Sequence, residues 1–395
     1  MGYDRTRFRF LNYSNAKKAY EGYTLFAPMS PQGYVWLIDM DGNFVHRWTT
    51  NYLPGEYGKL LPSGNLLFAG KVVPGPMNDV GGFGGMLLEA DWDNNILWKY
   101  EDLYQHHDFC RLSNGNTMIL RWVPIPDDLS AKIKGGIPGT ERKGQIWADS
   151  FQEVTSAGQV VWEWLSYEHL DPEIDTICPI CPRSEWSHAN ACCVLPNGDI
   201  LTTFLRLNTI VIIDRTTGDI KWTWGKGELA HPHDPTMLDN GNVLVFDNGI
   251  HRKLAIPNYS RILEINPATS EVEWEYKGNP QHHFYGSQVS GCQRLPNGNT
   301  LICEGTTGRI FEVTRDCEIV WEFMSPFYSE IQGYGLTNQV FRAYRYSPEF
   351  EGIKGKTLDP NKFEWVLQEK DQVAGSNSIN DMGKTVMDRL EKLGY

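Results

Sequence analysis

Several things are missing from this 395-residue sequence. No stretch approaches the 18 or more apolar residues of a membrane-spanning helix. Basic charge is in deficit: the formal net charge is −13. That sets aside nucleic acid and anionic membrane as partners, because both select basic surfaces. A small aromatic or anionic substrate stays open, since a local cluster of Arg and His overrides the global sign. No apolar h-region follows the charged N-terminus, so the expected compartment is cytoplasmic as written, and periplasmic if a leader has been removed. The 8 cysteines are scattered and are expected to be reduced thiols. The GGFGG run at 81–85 lacks the Lys-Ser/Thr of a phosphate loop and leads into a strand rather than a helix. Oligomeric state is not written in the sequence, and a homo-oligomer stays open.

What is present is repetition. LLPSGNLL, LSNGNTMI, LPNGDILT, LDNGNVLV and LPNGNTLI recur at 60–67, 112–119, 195–202, 238–245 and 295–302. Each is an apolar run, a tight turn and a second apolar run, which is a β-hairpin signal because Asn and Gly accept the positive φ such turns need. Between hairpins a polar turn leads into a β-branched run and a Trp, at Trp48, Trp98, Trp162, Trp222, Trp274 and Trp321, spaced by 50, 64, 60, 52 and 47 residues. Periods of that size with four short strands per unit indicate propeller blades. The expected fold is therefore all-β, a six-bladed β-propeller over 1–350. Five blades are read directly. The sixth takes three strands from 22–48 and one from about 336–346, so that N- and C-terminal strands close it. A C-terminal extension at 351–395 carries a short helix near 380–393. Two insertions rich in Pro, Gly and charge, 123–146 and 166–185, read as long loops. The Glu residues of the third strands are expected to make structural contacts between blades.

The turns serve as a ruler. Eight residues before the turn Gly lie His107, Asn190, His233 and Ser290; ten before lie His188, His231 and Gln288. Strand alternation puts both sets on one face. The second strand of each hairpin brings Arg121, Arg206, His251 and Arg252 to the same rim. Arg forks and imidazoles suit a tetrahedral anion or carboxylate. Axial histidines also suit a divalent metal, with His107, His188, His233 and His251 as the alternative ligand set. His46, His106, His169, His282 and His283 lack the repeated position and are assigned no role. Asp108 and Asp234 either orient an imidazole or satisfy local backbone. Cys178-Pro-Ile-Cys181 has chelating spacing but no second pair. A stapled or reduced loop is the main reading, with zinc or redox chemistry as the other. Cys192 and Cys193 read as core packing.

The PNGNTLI-type hairpins, the G-x-VVWEW strands and the segment NQVFRAYRYSPEF at 338–350 resemble the arylsulfotransferase family that needs no nucleotide sulfate donor. The resemblance spans roughly 22–350. It implies a six-bladed propeller in which a histidine takes a sulfuryl group from an aryl sulfate and passes it to a phenol, without metal or other cofactor. Residue by residue, it implies His233 as nucleophile and His107 as acid and base. His188, Asn190 and Arg206 would hold the sulfuryl oxygens, and His251, Arg252, Gln288, Ser290, Arg121 and Asn338 would line the substrate site. The extra N-terminal β-domain and export leader of well-known members are not seen in this sequence. Two other readings stand beside it: a divalent-metal propeller enzyme (lyase or oxygenase), and a binding propeller without chemistry.

Overall fold

A computed structural model describes residues 9–30, 33–253, 255–331 and 335–366; the helix expected near 380–393 lies outside them. The fold is a six-bladed β-propeller of six antiparallel blades. Two compact units divide it, one comprising 1–70, 87–99 and 289–395, the other 71–86 and 100–288.

In the first unit, Tyr23–Pro28, Tyr34–Ile38 and Phe44–Thr49 are joined by Val340–Tyr346, with Tyr23 opposite Tyr346. Strands from near both ends of the chain thus complete one blade. A neighbouring blade runs from Gly291–Arg294 to Ile319–Met324 and gains an unforeseen fifth strand, Phe10–Ser14, along its edge. The core here is aromatic: Trp36 stacks on Phe327 at 5.4 Å, and Phe44 packs edge-on to both. Phe363 meets Trp36 edge-on at 5.3 Å and binds the segment after the last strand to this core.

The second unit holds the blades Gln105–Arg111 to Val160–Leu165, Cys193–Val194 to Ile220–Trp224, and Pro232–Met237 to Val272–Lys277. Both insertions belong to it, and they are not separate loops. Gly135–Ile137 of one pairs in parallel with Ile177–Pro182 of the other. Gly135 and Gly136 both have positive φ, and a Cβ on Gly135 would overlap the Ile177 carbonyl.

Two polar ties recur. The hairpin turn closes on a Gly at φ of 84–92°, as at Gly115, Gly198 and Gly241. Its Asn then donates to the Glu of the same blade's third strand: Asn65 to Glu89 at 2.7 Å, Asn242 to Glu264 at 2.9 Å and Asn299 to Glu312 at 2.6 Å. The expected contacts between blades are thus joined by contacts within one. Glu153 makes both, accepting from Asn114 of its own blade and from Arg215 of the next. The second tie is a tryptophan N–H. Trp48 donates to the Asp91 carbonyl, Trp164 to Gly218, Trp224 to Ser270 and Trp321 to Met40, all at 2.8–3.1 Å. In each case the acceptor is the last turn of an adjoining blade. In the paired signatures VVWEW and IKWTW it is the second Trp that does this. The first, Trp162, instead lies under the Arg215 guanidinium.

His46 occupies that first position in its blade. It is buried, stacked on Trp92 at 3.9 Å, and burial lowers its pKa to about 3. A depressed imidazole pKa means stability is full above the unfolded value near 6.5 and is lost as pH falls toward 3. Lowering the pH from 7 to 5 is expected to remove about 2 kcal/mol through this residue. Denaturant unfolding of His46→Gln at both pH values checks it: the variant should lose this part of the pH dependence.

Candidate functional site

The site is built within the second unit on a carboxylate from an insertion. Glu185 is 1% exposed. Its Oε1 accepts from Trp122 Nε1 at 2.7 Å. Its Oε2 accepts from His188 Nδ1 at 2.7 Å and from Arg206 Nη2 at 2.9 Å. Burial opposes its ionisation, but the His188 and Arg206 charges outweigh burial and hold it well below the usual carboxylate range. Arg206 answers in kind: burial works against its charge, and the Glu185 carboxylate and Cys181 sulfur nonetheless raise its pKa. It also donates to the Pro182 carbonyl at 2.9 Å. The arginine that the sequence offers as a sulfuryl fork is therefore committed to a buried carboxylate and to the inserted chain.

His188 and His107 meet, their ring centroids 4.5 Å apart. His107 Nδ1 lies 2.8 Å from His106 Nδ1, and His106 Nε2 lies 3.3 Å from Asp149. His106 also stacks on Trp122 at 4.2 Å. His106, which the repeat left without a role, thus backs His107. Gly82 presses on the other side, and a Cβ there would overlap the His107 ring. Within the GGFGG run it is Gly82 that packs against a histidine.

The ruler misplaces one residue. Ile119 faces Phe109 but Arg121 faces Gln105, so four residues of the inner strand oppose two of its partner. A bulge of this kind breaks alternation. His107 and His188 both adopt left-handed φ, 54° and 52°. His188, ten residues before its turn, joins His107, whereas Asn190 is fully buried. Asn190 Nδ2 donates to the Pro232 carbonyl at 2.8 Å, and its Oδ1 accepts from Thr203. Asn190 ties its blade to the one carrying His233.

His233 Nδ1 lies 2.7 Å from Asn248 Oδ1. Asn248 Nδ2 donates to the Gly286 carbonyl at 2.7 Å, which turns its oxygen to the imidazole. Nδ1 is therefore the protonated nitrogen and Nε2 carries the lone pair. Asn248 and Glu185 escaped sequence reading, although an acid three residues before His188 was the available hint. Asp108 Oδ2 accepts from Cys192 N at 2.6 Å, a backbone role.

Several of the remaining expected residues have local partners. Arg121 pairs with Asp102 at 2.7 Å and Arg252 with Asp247 at 2.7 Å. Gln288 belongs to the second unit. Ser290 and Asn338 belong to the first, where Ser290 Oγ accepts from Gly305 N and Asn338 donates to the Ser325 carbonyl. Nor does the alternative four-histidine metal set assemble. His251 lies instead with His231, Cys178 and Cys181. Burial pushes the His231 pKa down. The thiol–thiol contact lowers the pKa of Cys178 and raises that of Cys181.

Residues 59–326, which contain all of these blades' inner strands from His107 to His233, match the family model for arylsulfotransferase (ASST). The chain belongs to the arylsulfotransferase family. No curated protein matches this family member. A protein of unknown function from Bacteroides caccae is similar in structure, at 12% identity and a TM-score of 0.53, over 82% of this chain and 99% of that one. Such likeness shows the fold alone. A catalytically inactive virginiamycin B lyase from Staphylococcus aureus with quinupristin gives 13% identity, a TM-score of 0.43 and coverage of 80% and 88%. A streptogramin B lyase gives 11%, 0.43, and 87% and 100%. Neither bears on the activity of this arylsulfotransferase-family chain.

Removing the shared carboxylate leaves Arg206 charged and buried. Glu185→Gln is expected to cost about 3–5 kcal/mol, measured by denaturant unfolding at neutral pH. Adding Arg206→Met should recover part of that loss.

Proposed function

We propose that this protein moves a sulfuryl group from an aryl sulfate to a phenolic acceptor through a covalent sulfohistidine at His233. The observation that carries the proposal is the Asn248 clamp at 2.7 Å, which leaves the nucleophilic lone pair on Nε2. Family membership supplies the reaction class. Nε2 attacks sulfur, the N–S bond forms, and the S–O bond to the aryl group breaks. His107, backed by His106, gives its proton to the departing phenolate. In the second half His107 takes the proton of the acceptor phenol. The phenolic oxygen then attacks sulfur and the N–S bond breaks, restoring His233. His188, held by Glu185, hydrogen-bonds the sulfuryl oxygens as charge moves onto them. Arg206 is a positioning residue that holds Glu185. None of these steps calls on a metal or another cofactor.

With 4-nitrophenyl sulfate as donor and phenol as acceptor, nitrophenol should appear. Quenched protein should carry a sulfuryl adduct on a peptide containing His233. His233→Ala should lower turnover on the order of 10⁴-fold or more, as loss of a covalent nucleophile does. No nitrophenol and no adduct from folded protein would sink the proposal. Gly82→Ala tests the role of His107 separately. Displacing that ring should lower kcat about 10²-fold while KM changes little, whereas an uninvolved His107 would leave kcat unchanged.

A further inference from the structure

Cys178 and Cys181 lie on Ile177–Pro182, the inserted strand gripped by Gly135–Ile137. His231 and His251 come from the blade that also carries His233. The four ligand atoms all lie within 4.8 Å of one another. Cys181 Sγ is 3.2 Å from His231 Nε2 and 3.5 Å from His251 Nδ1, and Cys178 Sγ is 3.5 Å from His251 Nδ1. Bonds of about 2.3 Å to sulfur and 2.0–2.1 Å to nitrogen around a tetrahedral zinc ion require ligand atoms about 3.3–3.8 Å apart. Three of the six donor pairs therefore stand at or near coordination spacing, and the others lie within 4.8 Å.

Three further features point the same way. Donor chemistry is selective: two sulfurs and two imidazole nitrogens, with no carboxylate, suit zinc and exclude calcium and magnesium. The two cysteines are free thiols, not a disulfide. Both histidines are held in left-handed backbone, φ 58° at His231 and 66° at His251, and their rings stand 4.5 Å apart. Non-glycine residues adopt that conformation infrequently.

We propose that Cys178, Cys181, His231 and His251 form a tetrahedral zinc site. The ion would pin the insertion bearing Glu185 to the strand bearing His233. His231 is two residues from His233, and the His231 carbonyl lies 3.3 Å from His233 Nδ1. Arg206, beside Cys181 and bonded to Pro182, joins this site to Glu185. The site is a positioning element with all four coordination places filled by protein, which is the closed arrangement of structural zinc.

The test is metal content of the purified full-length chain after zinc loading and desalting. About one zinc per chain is expected. Cobalt loading should give intense visible bands of tetrahedral Co²⁺ and a near-ultraviolet sulfur-to-cobalt band. Cys178→Ser and His251→Ala should each lose the ion, and Cys317→Ser, altering an exposed cysteine, should keep it. If these single variants fail to fold, chelator titration of the unaltered chain supplies the second reading. Zinc removal should expose two thiols to a thiol reagent and speed proteolysis within 166–185. Folded protein that takes up no zinc, zinc unaffected by Cys178→Ser, or a disulfide between Cys178 and Cys181 would overturn the proposal. None of these readouts depends on sulfuryl transfer.

Discussion

One hydrogen bond organises the blades: a tryptophan N–H given to the last turn of an adjoining blade. A blade is a small twisted sheet that buries its faces only against neighbouring sheets. Dispersion and hydrophobic contact are not directional, so they do not fix how far one sheet slides over the next. The indole bonds of Trp48, Trp164, Trp224 and Trp321 do fix it, because each needs one particular carbonyl. Within a blade, the Asn-to-Glu bonds hold the inner hairpin to the third strand in the same way. With sheets and hairpins set, the inner strands tolerate bulges and left-handed residues, and the histidines of the site sit at those irregular places.

The site's electrostatics centre on Glu185. A carboxylate with about 1% exposure persists only because Trp122, His188 and Arg206 all donate to it. Its position in an insertion, rather than in a blade, sets it apart from the repeated scaffold. The blades deliver His107, His188 and His233; the insertion decides how His188 and Arg206 are held. The cysteine pair on the same insertion extends this logic, since its histidine partners come from the blade that holds His233.

Much of this was legible in the residues. Positive-φ turn glycines and spaced tryptophans announce six repeats of an antiparallel sheet, and alternation of apolar residues marks the strands. His107, His188 and His233 were singled out by their distance from those turns. Asn190 was singled out too, yet its side chain bonds Pro232 and Thr203. A bulge opposite Ile119–Arg121 shifts the count in the blade that carries His107, so equal distances from the turn do not mark equal places in different blades. Arg206 was found, but its partner was not, because nothing local says that Glu185 folds back beside it.

By itself the sequence determined the fold class, the family resemblance and the histidines on inner strands, since all depend on short-range turn chemistry and on periodicity. Only the tertiary structure decided which side chains meet. It set His106 behind His107 and Asn248 against His233. It also set Glu185 between His188 and Arg206, and brought Cys178 and Cys181 to His231 and His251. The first two contacts lie within single blades at irregular strands, and the last two join an insertion to residues of the blades, so sheet packing and bulges govern them rather than the repeat spacing.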